Sequence, residues 1–342
     1  MQYVNKIILF VLLYFSLERS TAQDLHFSQF FNSPLSTNPA NTGFIPSSDY
    51  RLGAHYREQW ASIPVPYKTI SIYGDFQFMR DRFRSGWMGL GGMLLQDVAG
   101  SGNLRSTKAY ASVAYHQMLG NTGLLSAGFN LGYAGKQINE TKLTFDNQWN
   151  GRFFDASIPS GELFLNNSIG YFDMQAGLNY AYFPTDNVYL HGGFSVHHLN
   201  RPSESFFGDI PGYDNTIQPR SIFFADAMIK INNSIIVSPS LYYTQQAKAA
   251  EFVGGVHFNY NIFNAGEQQL IGGIYFRPGD SYIPMIGYQW RNFKFMFSYD
   301  ITTSQLKNFN NARGATEMYL QYDGIYSDMF AGGRQNMCPR FN

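Results

Sequence analysis

From residue 50 onward the chain alternates. Leu125, Ala127, Phe129, Leu131 and Tyr133 interleave with Ser126, Gly128, Asn130, Gly132 and Ala134. Phe172, Met174, Ala176, Leu178 and Tyr180 interleave with Asp173, Gln175, Gly177 and Asn179. Phe293, Phe295, Phe297 and Tyr299 interleave with Lys294, Ser298 and Asp300. A period of two predicts strands with one apolar and one polar face. About fourteen such segments follow one another, centred near Ala54, Tyr73, Gly91, Val113, Phe129, Gly177, Gly193, Ala225, Val237, Val256, Gly273, Ile286, Phe297 and Leu320. Each is long enough to cross a bilayer at a tilt.

The connections alternate too. Short ones fall at Gly120–Gly123, Pro184–Asn187, Asn232–Ser234 and Arg291–Asn292; long ones at Asn139–Gly170, Leu199–Pro219 and Thr302–Ala315. Asn261–Gln268 is longer than its class. Outer-membrane barrels keep short turns in the periplasm and long loops outside. The expected fold is all-β: a transmembrane antiparallel barrel of about 14 strands, with both termini periplasmic. A soluble sandwich also gives short alternating strands. Against it stand the strand length and the aromatic density; in lipid, closure also removes edges that would leave backbone groups unpaired.

Composition agrees. Hydrophobic residues make up 44% of the chain, aromatic residues 17% and charged residues only 14%, where soluble domains average roughly 25% charged. The mean hydropathy is nonetheless −0.24, as expected when half of each strand faces lipid and half a polar lumen. Tyr and Trp favour the headgroup level. Residues 1–22 read as a signal peptide: Lys6, the apolar run Ile7–Leu17, then Ser20-Thr21-Ala22 before the expected cleavage. That run is too short for a spanning helix. Cys338 is the single cysteine, which excludes an internal disulfide framework, and the net charge of zero gives no sign of nucleic acid.

The expected organisation is a signal peptide over 1–22, an N-terminal segment over 23–50, the barrel over 51–323 and a C-terminal tail over 324–342. The N-terminal segment does not alternate. It precedes the first strand, so it is expected to start in the periplasm, and Phe27, Phe30, Phe31 and Leu35 are costly to leave wet. It reads as a plug packed in the lumen, against the simpler reading of a mobile tail.

No catalytic residues stand out. His191, Ser195 and His197 share one strand face, but polar lumenal residues are what any barrel needs, and a hydrolase needs a nucleophile and base within reach. Gly89, Gly91 and Gly92 lack the strand-to-helix setting of a phosphate cradle. Asp146-Asn147-Gln148-Trp149-Asn150-Gly151 resembles the opening of a calcium loop, but Gln148 and Ser157 stand where ligands belong. No metal and no cofactor are expected. Trp149, Phe153, Phe154, Phe206, Phe207 and Tyr213 lie in the long loops, where large aromatics often meet partners; the alternative is that they pack on one another over the lumen.

Two sets of motifs resemble the PorP/SprF family of type IX secretion-system outer-membrane proteins. The first runs through Phe27-Ser28-Gln29-Phe30, Ser33-Pro34-Leu35, Asn38-Pro39-Ala40 and Thr42-Gly43 into Arg57-Glu58-Gln59-Trp60 and Tyr67-Lys68-Thr69. The second is Cys338-Pro339-Arg340-Phe341. The terminal motifs read as structural: Phe27 and Phe30 as anchors, Pro39 as a turn, Arg57 and Arg340 as cations that need partners. The resemblance implies a non-enzymatic outer-membrane component or accessory of the type IX secretion and gliding machinery in a Bacteroidota-like Gram-negative bacterium. It implies binding, surface anchoring or assisted export of a secreted cargo or adhesin with a C-terminal sorting domain. The implied partners are outer-membrane lipid, that cargo and a periplasmic lipoprotein of the machinery. The alternative is a hydrophobic small-molecule transporter, because Asn38-Pro39-Ala40 in a plug also resembles the long-chain fatty-acid transporters, which have fourteen strands and a hatch.

Overall fold

A computed structural model describes residues 26–46, 48–62, 65–79, 83, 85–162, 165–208, 214–263 and 266–326. The expected signal peptide, Tyr213 and Cys338-Pro339-Arg340-Phe341 lie outside the described residues. Fourteen strands follow in order: β1 Tyr50–Gln59, β2 Tyr67–Phe78, β3 Gly86–Ala99, β4 Leu104–Leu119, β5 Gly123–Gln137, β6 Ser168–Thr185 and β7 Val188–His197. The second half is β8 Arg220–Lys230, β9 Ile235–Gln246, β10 Ala249–Asn261, β11 Gln268–Arg277, β12 Ser281–Trp290, β13 Phe293–Thr302 and β14 Arg313–Gly324. Each predicted strand centre falls in one of them.

Every strand pairs with its sequence neighbour, and β1 closes on β14 antiparallel, from Tyr50 opposite Gly324 to Gln59 opposite Ala315. Closure leaves no edge, the condition for a sheet in lipid. The alternation sorts the faces. On β6, Phe172, Leu178 and Tyr180 point outward and are exposed, while Asp173, Gln175 and Asn179 point inward and are buried. Leu94, Leu131, Ile286 and Leu320 repeat the apolar exterior, and Ser106, Lys108, Ser112 and His116 the polar interior.

The longest connections, 138–167 and 198–219, lie at one end of the barrel, called here the long-loop end. The other end is the terminal rim, where β1 starts and β14 stops. The expected contrast in loop length holds only in part. Three long-loop-end turns are short: Gly100–Asn103, Ala247–Lys248 and Pro278–Asp280. Two turns at the terminal rim are longer, 79–85 and 262–267. Positive φ at Gly100, Asn103, Ala247 and Gly279 lets the chain reverse in little space.

Candidate functional site

The chemistry of this barrel concentrates where residues 26–46 meet the inner wall. They form three single turns, Phe30–Asn32, Pro34–Thr37 and Pro39–Asn41, and nearly all of them are buried. They bond to strands on every side, from β1 and β2 through β5 and β6 to β13 and β14. Within a closed ring of strands, such contacts place the segment in the lumen.

Its first anchor is ionic. The Ser28 and Gln29 amides each donate to the Glu317 carboxylate at 2.9 Å. Ser28 Oγ donates to Asp300 Oδ2 at 2.8 Å and accepts from Arg57 Nη1 at 2.8 Å and from Arg277 Nη2 at 2.9 Å. Arg57 bridges Asp300 and Glu317, at 3.0 Å each. Arg277 reaches Asp300 at 3.3 Å and Asp280 at 2.7 Å. Arg57, Arg277, Asp300 and Glu317 are all buried, and Arg277 is shared further with Asp280 and, at 3.6 Å, with Glu251; buried charges persist only when paired in this way. Asp300 sits at a register shift between β13 and β14, where a Cβ at Gly314 would overlap its carbonyl. Such bulges re-aim side chains.

The second anchor is aromatic. The Phe30 ring stacks on Tyr242 at 5.1 Å and meets Tyr275 edge-on at 6.1 Å. Phe31 stacks on His257 and Tyr275, and Phe27 lies against His55 at 4.6 Å. Leu35 is fully buried in the same cluster.

The third anchor is the close approach of backbones. The Asn38 side chain caps the Ala40 amide at 2.8 Å, and its Nδ2 donates to the carbonyls of Leu178 and Phe194. Pro39 opens the turn that Asn38 caps. These contacts need glycine on the wall: a Cβ at Gly128 would overlap Pro39, and one at Gly177 would overlap Asn38. Gly43 has φ +68°, donates its amide to Asp75 at 2.8 Å and accepts from Trp87 Nε1 at 3.0 Å. A Cβ at Gly89 would overlap the Thr42 carbonyl.

Motif residues that are separate in sequence therefore meet here, Ser28 with Arg57 above all. Gln59 ends β1, and Trp60 follows it with its amide on the Gly314 carbonyl and its ring edge-on to Tyr67. One expectation fails. The segment does not enter from the rim where β1 begins. His26 lies 3.1 Å from Glu251, the third residue of β10, which starts at the long-loop end. A non-periodic segment carries no signal of its direction. The sequence reading also missed Arg277, Asp300 and Glu317 as partners. Their signal was present: charged residues on the polar face of strands whose other face is apolar.

His191, Ser195 and His197 are buried on the inner face. The Ser195 hydroxyl donates to the Thr37 carbonyl at 2.8 Å, and His191 Nδ1 lies 3.1 Å from Asp226 Oδ1. At the long-loop end, Trp149, Phe153, Phe154 and Phe207 are exposed. Phe206 is half-buried and ties the two longest loops together, its carbonyl accepting from the amides of Leu165 and Asn166. Lys136 pairs with Glu204, and the Tyr171 hydroxyl donates to the same carboxylate. Trp149 and Phe154 face each other across an isolated bridge. The Asp155 and Asp214 carboxyls in these loops are held below the usual range, first by hydrogen bonds from the hydroxyls of Ser157 and Thr216. Gln148 is committed to the Phe145 amide and the Ile158 carbonyl. No group of three metal-binding side chains occurs among the described residues.

Residues 19–322 match the family model described as type IX secretion system membrane protein PorP/SprF. No curated protein matches the chain. Among solved structures it is similar to the P. putida toluene transporter TodX, at 9% identity over 86% of this chain and 94% of that one, with a TM-score of 0.52. A TodX mutant gives 0.54 at 9% identity, with the same shares covered. A Pseudomonas aeruginosa FadL homologue gives 0.50 at 10% identity over 85% of this chain and 94% of that one. At these identities the likeness concerns the barrel fold alone.

Proposed function

Because the chain belongs to the PorP/SprF family of type IX secretion-system membrane proteins, we propose that it is a non-enzymatic outer-membrane component of that machinery. Its long-loop end binds a secreted protein carrying a C-terminal sorting domain, and anchors it or assists its export. An outer-membrane location fits both the barrel fold and the family. Long loops belong outside, so the long-loop end faces the exterior and the terminal rim faces the periplasm, where a lipoprotein of the machinery is the second partner.

The observation that carries this reading, beside the family, is the pair of long loops that expose large aromatic side chains at one end of the barrel. Residues 27–45 are anchored by buried ion pairs, stacked rings and backbone contacts. A packed lumen belongs to both readings, because the fatty-acid transporters that Asn38-Pro39-Ala40 resembles also carry a hatch; what favours a barrel that works through its surfaces lies at the long-loop end. The exposed aromatic loops supply such a surface, since apolar groups rimmed by polar ones mark partner sites. The second reading, a carrier of hydrophobic small molecules, is favoured by the similar transporter folds.

Replacing residues 140–166 with a short Gly-Ser linker separates the two. The expected outcome is loss of cargo from the cell surface into the medium, with the barrel still folded. Cargo retained at the wild-type level contradicts this role for the loop. Uptake of a labelled fatty acid or an aromatic hydrocarbon into liposomes holding the purified protein would shift the assignment to the carrier.

A further inference from the structure

The path of residues 26–49 has a direction, and it runs against the expected one. His26 contacts Glu251 near the start of β10. Ser28 bonds to Arg277, the last residue of β11, and Arg277 reaches Asp280 in the following turn. All of these lie at the long-loop end. Halfway along, the Asn32 carbonyl meets His55 Nε2 at 2.9 Å and accepts from the Tyr73 hydroxyl at 3.0 Å. Gly43 then meets Trp87, the second residue of β3, and the Ile45 carbonyl accepts from Gln77, next to the end of β2. Both strand ends belong to the terminal rim. There the Asp49 amide donates to the carbonyl of Gly324, the last residue of β14. The carboxyl-terminal side stays at this rim: the Tyr326 amide donates to Asp49 and its hydroxyl to the Gln77 carbonyl.

We infer that the amino end of the processed chain opens at the long-loop mouth, on the opposite side of the membrane from residues 324–326, where the described chain leaves β14. The lumen is crossed once, over its full height, before β1 begins. With cleavage before Gln23, only three residues precede His26, and they span at most about 11 Å. The start of the mature chain is therefore held near that mouth. With the orientation proposed above, on which this inference rests, a protein processed in the periplasm displays its amino end to the exterior beside its long loops.

The test uses the full-length protein with one epitope at a time: directly before Gln23, in the 303–312 loop at Phe309, which is 83% exposed, or after Asn342. Antibody binding to intact cells is compared with binding after the outer membrane is opened. The expected result is that the amino-end and Phe309 epitopes are bound on intact cells, and the carboxyl-end epitope only after opening. An amino-end epitope shielded on cells whose Phe309 epitope is bound overturns the inference and leaves the orientation standing. A shielded Phe309 epitope with an exposed carboxyl-end one overturns the orientation instead. Should the amino-end epitope prevent folding, His26→Cys with Glu251→Cys in a Cys338→Ser background supplies a second test. A disulfide in the folded barrel supports the path described, and two free thiols in a folded barrel contradict it.

Discussion

Arg57 faces Asp300 and Glu317 in a site with no water-exposed surface to speak of. Replacing it with Ala leaves the buried Glu317 with only backbone amides as partners and Asp300 with Arg277 as its remaining cation, a loss of about 3–5 kcal/mol. Arg57→Ala should unfold at a markedly lower temperature, read as the heat-modifiable shift on semi-native gels; an unchanged shift would falsify the network's structural role. Phe30→Ala removes a stacked ring from the lumen core and is expected to cost about 3–5 kcal/mol by the same readout. A third contrast isolates close packing. Gly89→Ala drives a methyl group into the Thr42 carbonyl and should lower the transition, whereas Gly272→Ala meets nothing within 4 Å and should leave it unchanged. Equal behaviour of the two variants contradicts the backbone approach at Gly89. At this scale the sequence was partly legible. Ser28 and Arg57 belong to family motifs, and Asp300 stood on a visibly polar strand face. Their convergence was not legible, because it depends on which strands of the ring lie opposite which turn of the segment.

The strands were legible in the amino-acid pattern itself, because period two over ten or more residues admits one interpretation in a membrane. Turn lengths were less faithful. A hairpin such as Ala247–Lys248 needs only one residue of positive φ to be short, whichever end of the barrel it occupies. The N-terminal segment was legible as apolar enough to need cover, but its direction was not, since three single turns leave no periodicity. Its removal is the sharpest test at the scale of an element. Deleting residues 26–46 unpairs Arg57, Arg277, Asp300 and Glu317 from Ser28 and leaves a water-accessible polar bore. Planar-bilayer recordings should show steady ion conductance for the deletion protein and none for the intact one. Conductance by the intact protein would mean that the segment does not seal the lumen.

Across the whole molecule, three surfaces have separate tasks. The outer wall is apolar, the bore is polar with residues 26–46 packed against it, and the loops at one end expose large rings. A barrel closed in this way offers partners its two ends. The long-loop end carries the aromatic groups that protein contacts use. The most direct measurement is capture of the tagged barrel from native outer membrane in mild detergent, with mass spectrometry of what accompanies it. The account predicts a large secreted protein bearing a C-terminal sorting domain, lost when residues 140–166 are replaced. Recovery of the barrel alone, carrying only bound lipid, would contradict it.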